Sequence, residues 1–209
     1  MASKTYDITL PMNAALACWP GDAPFRFTWS CRKADGESVN VGQISMSVHT
    51  GTHTDAPFHF SDAGATVEKL CLEPYIGRAC VIDVIGRPMI RREDLEPFDL
   101  SQTPRVLFRT DAWLDHSRFP ERVPTMAPDM PGWLGSHGVI LIGVDLPSVD
   151  AIESKELPIH HALGEQRIAI LESLHLVDVP AGIYELVALP LKLVGADGAP
   201  VRAILRSGC

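Results

Sequence analysis

The chain has 209 residues, enough to bury a sizeable core as one domain spanning 1–209. Its formal charge of −8 and pI near 5.4 argue against nucleic acid as a partner, because phosphate recognition needs clustered Lys and Arg. No apolar run approaches the roughly eighteen residues of a membrane span, and the start of the chain lacks the order of a secretory leader, so no membrane partner is expected.

Residues 5–11 read as a strand, followed by a loop holding Cys18, Trp19, Pro20, Gly21 and Asp22. Residues 41–49 alternate polar and apolar and read as a strand that delivers His49. The runs 80–85, 106–110, 138–145, 168–172 and 184–194 are short and rich in β-branched or apolar residues, which suits buried strands. Ala196-Asp197-Gly198 before 200–206 marks a hairpin. Helical patterns are fewer: 91–98, 127–137 and 155–166 are short or broken by proline, and Arg91-Arg92-Glu93-Asp94 has the composition of a solvated face. Strand should exceed helix, in a mixed α/β domain with a substantial sheet. The cysteines at 18, 31, 71, 80 and 209 form no CxxC pair and are odd in number, which suits reduced thiols in the cytoplasm better than a disulfide framework.

The segment 49–59 carries the chemistry. It places three of the eight histidines and an aspartate in eleven residues, and His49, His53, Asp55 and His59 all have the same parity. On an extended chain such residues share a side, and imidazole with carboxylate is the ligand set of Zn²⁺ and its neighbours when no thiolate is offered. A straight strand rising roughly 3.3 Å per residue would hold the His49 and His53 Cα atoms about 13 Å apart, where two imidazoles with bonds of about 2.0–2.1 Å could barely meet around one ion. The chain must curl between them, and Gly51 is the residue able to turn there. A helix is disfavoured by Thr50, Thr52, Thr54, Gly51 and Pro57, so the expectation is a strand end running into a tight loop.

Other candidates are open on residues alone. Adjacent His160 and His161 differ by about 100° on a helix, so at most one faces a site. Glu172 ends the apolar run 168–171, where a carboxylate either emerges into solvent or is aimed at a site. Trp19 is a core plug or a pocket wall. Asp145 ends an apolar strand before Pro147 and reads either as a turn former or as a catalytic carboxylate, and His116, His137 and His175 have no companions. GxSxG, GxxxxGK[ST] and GxGxxG are absent, which leaves metal-assisted chemistry as the strongest option.

The string HTGTHTDAPFHF resembles the HxGTHxDxPxH signature of the cyclase-like metal-dependent hydrolases. Trp19-Pro20-Gly21-Asp22, residues 141–150, the spacing from His160 to Glu172, 184–190 and 200–203 are also similar and favour the arylformamidase members. The resemblance implies a mixed-sheet fold of the swivelling β/α/β type and two divalent metal ions per chain, Zn²⁺ first, with Mn²⁺ or Co²⁺ as alternatives. It implies that His49, His53 and Asp55 hold one ion, and that Asp55 and Glu172 bridge to a second completed by His160. His59 would be the acid–base residue, and Trp19 would line the substrate pocket. The implied reaction is hydrolysis of N-formyl-L-kynurenine to L-kynurenine and formate by a homodimer. An isatin-hydrolase-like ring amidase and a non-enzymatic metal-stabilised binding module are the alternatives.

Overall fold

The computed structural model describes residues 3–95 and 98–208. In chain order the elements are β1 (Thr5–Asp7), β2 (Arg26–Cys31), β3 (Val41–Ser45), β4 (His53–Asp55), β5 (Ile76–Asp83), β6 (Met89–Ile90), β7 (Arg105–Arg109), β8 (Thr125–Met126), α1 (Met130–Ser136), β9 (Leu141–Val144), α2 (Pro158–Glu165), β10 (Ala169–Glu172), β11 (Gly182–Val187), β12 (Gly198–Pro200) and β13 (Ile204–Arg206). Nine strands form one mixed sheet in the order β1-β13-β11-β5-β7-β9-β10-β4-β12; β2 with β3 and β6 with β8 form small separate pairs. Strand exceeds helix, and no helix among the described residues is long and apolar enough to cross a membrane.

The centre of the sheet, β5-β7-β9-β10, is parallel, and both of its faces are buried. Such strands show near-continuous apolar runs, which is why the stretches near 80, 106, 140 and 170 stand out in the sequence. One face packs Ile82, Phe108, Ile142 and Ile170 against Met130 and Leu134 of α1 and Ile159 and Leu163 of α2. The other packs Val81, Leu107, Leu141 and Leu171 against Tyr75, Leu174, Tyr184, Leu186 and Leu205. Antiparallel strands complete each side, with β4 and β12 beyond β10.

Several boundaries differ from the sequence expectation. The strand in 41–49 stops at Ser45 and pairs with β2 in an exposed hairpin, so a turn rather than a strand delivers His49. The strand in the metal segment begins at His53, after the turn at Gly51, instead of running into it. β1 ends at Asp7 and β11 ends at Val187, ahead of Pro190, whose missing N–H cannot extend a ladder. The helix expected over 91–98 is a 3-10 turn at Arg92–Asp94, and residues 96 and 97 lie outside the described residues. α2 starts only at Pro158, because Leu157 sits at a left-handed φ of 44°. The hairpin at 196–198 is also redrawn. β11 does pair with β13, but between them the chain crosses to the far edge, where Gly198–Pro200 pairs with β4.

Candidate metal centre

Strand register begins the site. β4 runs antiparallel to β10 with His53 opposite Glu172 and Asp55 opposite Ile170, so His53, Asp55 and Glu172 project from the face that α2 covers. Thr54 projects to the other face, where its hydroxyl donates to the Ile170 carbonyl oxygen (2.7 Å) and lies 3.0 Å from the Tyr75 hydroxyl. His160 is on the buried side of α2 and His161 on the exposed side. Gly51, at φ +70°, turns the chain so that the His49 and His53 rings stand 4.9 Å apart.

The ligand atoms converge in two overlapping groups, His49–His53–Asp55 and Asp55–His160–Glu172, each within 4.8 Å and so able to hold an ion. Asp55 Oδ1 lies 3.0 Å from His49 Nδ1 and 3.3 Å from His53 Nε2, while Oδ2 lies 3.5 Å from His160 Nε2. Glu172 likewise presents Oε2 to His53 and Oε1 to His160, both at 3.5 Å. Both Asp55 oxygens are buried and neither has a partner in hydrogen-bond geometry. A buried carboxylate left so is costly, and a cation among these donors would satisfy it. The donor set therefore fits divalent metal.

Each histidine of the cluster is held from behind. His53 Nδ1 lies 2.9 Å from the Gly51 carbonyl oxygen. His160 Nδ1 lies 2.7 Å from Asp150 Oδ2, and Asp150 also accepts from the Ile159 and His160 backbone N–H groups. His49 Nε2 lies 3.0 Å from Asp197 Oδ2. Such partners fix which nitrogen faces a metal. Asp150 and Asp197 were not picked out by sequence reasoning. Asp197 read as a turn residue, and only the crossing to the far edge brings it to His49. Gly198 permits that approach, since a Cβ there would stand 2.8 Å from His49 Cε1.

Electrostatics follow the geometry. Burial alone would raise the Asp55 carboxyl, but His160, His49 and His53 hold it well below the usual carboxylate range. Burial opposes charge on His49, yet Asp55 and Asp197 push it up to about 9. Burial likewise opposes charge on His160, and Asp150, Asp55 and Glu172 raise it well above the ordinary value.

His59 sits on a 3-10 turn, Pro57–His59, with its ring 4.1 Å from that of His49 and Nδ1 3.4 Å from Asp197 Oδ2. His49, His59 and Asp197 form a third ligand-distance group. A neutral imidazole offers one lone pair, so His49 can serve this group or the inner one, not both. The buried Asp55 oxygens, which have no contact in hydrogen-bond geometry, favour the inner one.

These groups open on a cavity of 350 Å³ whose walls include Trp19, Trp113 and Phe119, with Trp19 edge-on to Phe119 at 5.1 Å. Among the lining residues are His49, His53, His59, His160 and Glu172. His116, His137, His161 and His175 are not among them. Asp145 serves the chain itself, accepting from the Thr110 and Asp111 backbone N–H groups and the Thr110 hydroxyl.

Residues 6–151 match the family model described as "Putative cyclase". The chain belongs to the Cyclase family. It is 48% identical over 206 residues to a kynurenine formamidase of Geobacillus thermodenitrificans, covering 99% of each chain. Against a kynurenine formamidase of Bacillus cytotoxicus it is 46% identical over 205 residues, covering 98% of each. A solved structure from Bacillus stearothermophilus, described as a predicted metal-dependent hydrolase, superposes over 100% of both chains with a TM-score of 0.84 and 31% identity. Isatin hydrolase A from Ralstonia solanacearum shares the fold, with a TM-score of 0.82 at 24% identity over 99% of this chain and 92% of that one. Hydrolysis is common to these names, and the His/Asp/Glu groups suit it.

Proposed function

We propose that the chain is a metal-dependent kynurenine formamidase (arylformamidase) that hydrolyses N-formyl-L-kynurenine to L-kynurenine and formate in tryptophan breakdown. The observation that carries the metal part of this reading is the Asp55 carboxylate, buried and without a contact in hydrogen-bond geometry, one oxygen toward the His49 and His53 nitrogens and the other toward that of His160. The substrate part is supported by full-length identity to kynurenine formamidases. His49, His53 and Asp55 hold one divalent ion; His160 and Glu172, with Asp55 shared, hold a second. Zn²⁺ is the preferred ion, with Mn²⁺ and Co²⁺ accepted by the same N/O donors. When bound, the ions lower the pKa of a water molecule and polarise the formyl carbonyl.

The chain's own residues do the rest. Asp197 accepts from His59 Nδ1–H and leaves Nε2 free for proton transfer. His59 takes the proton of the attacking water and returns it to the departing aniline nitrogen, a better leaving group than an alkyl amine. Trp19, Trp113 and Phe119 give the aryl ring an apolar wall.

A homodimer is supported by the apolar surface of the β2–β3 hairpin, where Phe27, Trp29, Val41 and Ile44 are 48%, 50%, 43% and 57% exposed. The free thiols of Cys18, Cys31, Cys71 and Cys80 fit a cytoplasmic location. The test is a hydrolysis assay on N-formylkynurenine and isatin, with metal analysis of the same preparation. Turnover of formylkynurenine by protein carrying about two ions per chain is expected. Isatin turnover alone would replace this reading with a ring amidase, and no turnover of either by loaded protein would end it.

A further inference from the structure

The cavity holds two charges that neither the metal groups nor His59 use. Its lining residues include one lysine and no arginine, and that cation is Lys155. They include two carboxylates, Glu172 of the metal groups and Asp22. Neither the Lys155 ammonium nor the Asp22 carboxylate has a side-chain hydrogen bond or ion pair among the described residues. No lysine forms an ion pair among the described residues, so what singles out these two charges is their place on the cavity wall and not their lack of a partner.

Both charges sit on braced backbone. Asp22 closes a turn in which its N–H donates to the Trp19 carbonyl oxygen at 2.9 Å, with Pro20 and Gly21 (φ +101°) at the corners. Lys155 lies in the segment leading into α2, where Ser154 N–H donates to the Ala151 carbonyl oxygen and Leu157 N–H to Ser154 Oγ. One charge thus neighbours the aromatic wall at Trp19, and the other the helix that carries His160.

We propose that Lys155 and Asp22 recognise the amino-acid end of the substrate, Lys155 taking its α-carboxylate and Asp22 its α-ammonium. The proposal rests on the formamidase reading, because only a substrate with a free amino-acid head presents this pair of charges. The formyl group at the metal groups, the carboxylate at Lys155 and the ammonium at Asp22 make three points of attachment, which distinguish L from D substrate. Isatin has neither charge, so the same pair selects against it.

The test compares N-formyl-L-kynurenine, its D enantiomer and 2-formamidoacetophenone, which keeps the aryl formamide and lacks the amino-acid head. For the metal-loaded protein, Lys155→Met is expected to lower the kcat/KM ratio of the L substrate to the headless one by about tenfold, mostly through KM. Lys155→Arg should restore most of that ratio, and Asp22→Asn should shrink the preference for L over D. Calorimetric binding of L-kynurenine should weaken in Lys155→Met by a similar factor. An unchanged ratio and unchanged L-kynurenine binding in Lys155→Met, with the wild type hydrolysing both formamides, would overturn the subsite and leave the formamidase reading standing. If the loaded wild type hydrolyses no aryl formamide, both fall.

Discussion

His160 and Glu172 line the same cavity as His49 and His59, yet the inner set of Asp55, His160 and Glu172 and the rim set of His49, His59 and Asp197 stand in different surroundings. The inner side chains are 1%, 3% and 5% exposed; those of the rim are 15%, 31% and 42% exposed. An unmatched charge in the inner set has no solvent to relax it, so two carboxylates there demand cations, whether protons on imidazole or metal ions. The rim set can exchange protons with water, which is what an acid–base group requires. His49 joins the two, with Nδ1 toward Asp55 and Nε2 toward Asp197. On the proposed reading, burial separates residues of similar type into metal-holding and proton-handling roles.

Asp55→Asn should break the inner set most completely. Its oxygens face all three clustered histidines, so the variant should lose both ions by elemental analysis and cut kcat/KM on the order of 10³-fold or more. His59→Ala should leave the metal content of the protein in place while kcat drops by roughly 10²–10⁴-fold. If the ions leave with His59, the rim set is itself a metal site and the division between the two sets is wrong. Asp197→Asn is milder, because it keeps the size of the side chain and removes its charge. A loss of about 10–100-fold in activity or in affinity for the more weakly held ion is expected. Equilibrium dialysis alongside kinetics separates the two, and no change in either would remove Asp197 from the mechanism.

The same contrast explains what could be read from sequence. Parity and ligand chemistry singled out His49, His53, Asp55 and His59 because they are local, within eleven residues. The buried parallel strands were legible because both faces are apolar. The paired β2 strand was not anticipated, since its residues are largely exposed and carry no burial pattern. Glu172 opposite His53 depends on the register of β4 against β10, and Asp197 beside His49 on a crossing between sheet edges. Those are long-range pairings that no local spacing encodes. For His160 and Glu172 the residues alone left alternatives, and the resemblance pointed to them.

The gentlest probe of the comparison is pH, applied to protein stripped of metal. In that state Asp55 and Asp197 hold His49 at about 9, above its ordinary 6.5, and His160 moves in the same direction. A folded-state value raised in this way contributes stability that is complete below about pH 6.5 and is lost as pH rises through about 9. Asp55, held low, loses its contribution only in acid, so it does not obscure the alkaline limb. The stripped protein should therefore melt a few degrees lower at pH 9.5 than at pH 6.5. Protein loaded with Zn²⁺ should show much less of this slope, because the ion has displaced the His49 and His160 protons, and loading at pH 7.5 should release protons into the buffer. Differential scanning calorimetry at several pH values reads the first effect, and titration calorimetry in buffers of different ionisation enthalpy reads the second. Equal slopes with and without metal, and no proton release, would mean that the ion does not take the place of the protons on the inner set.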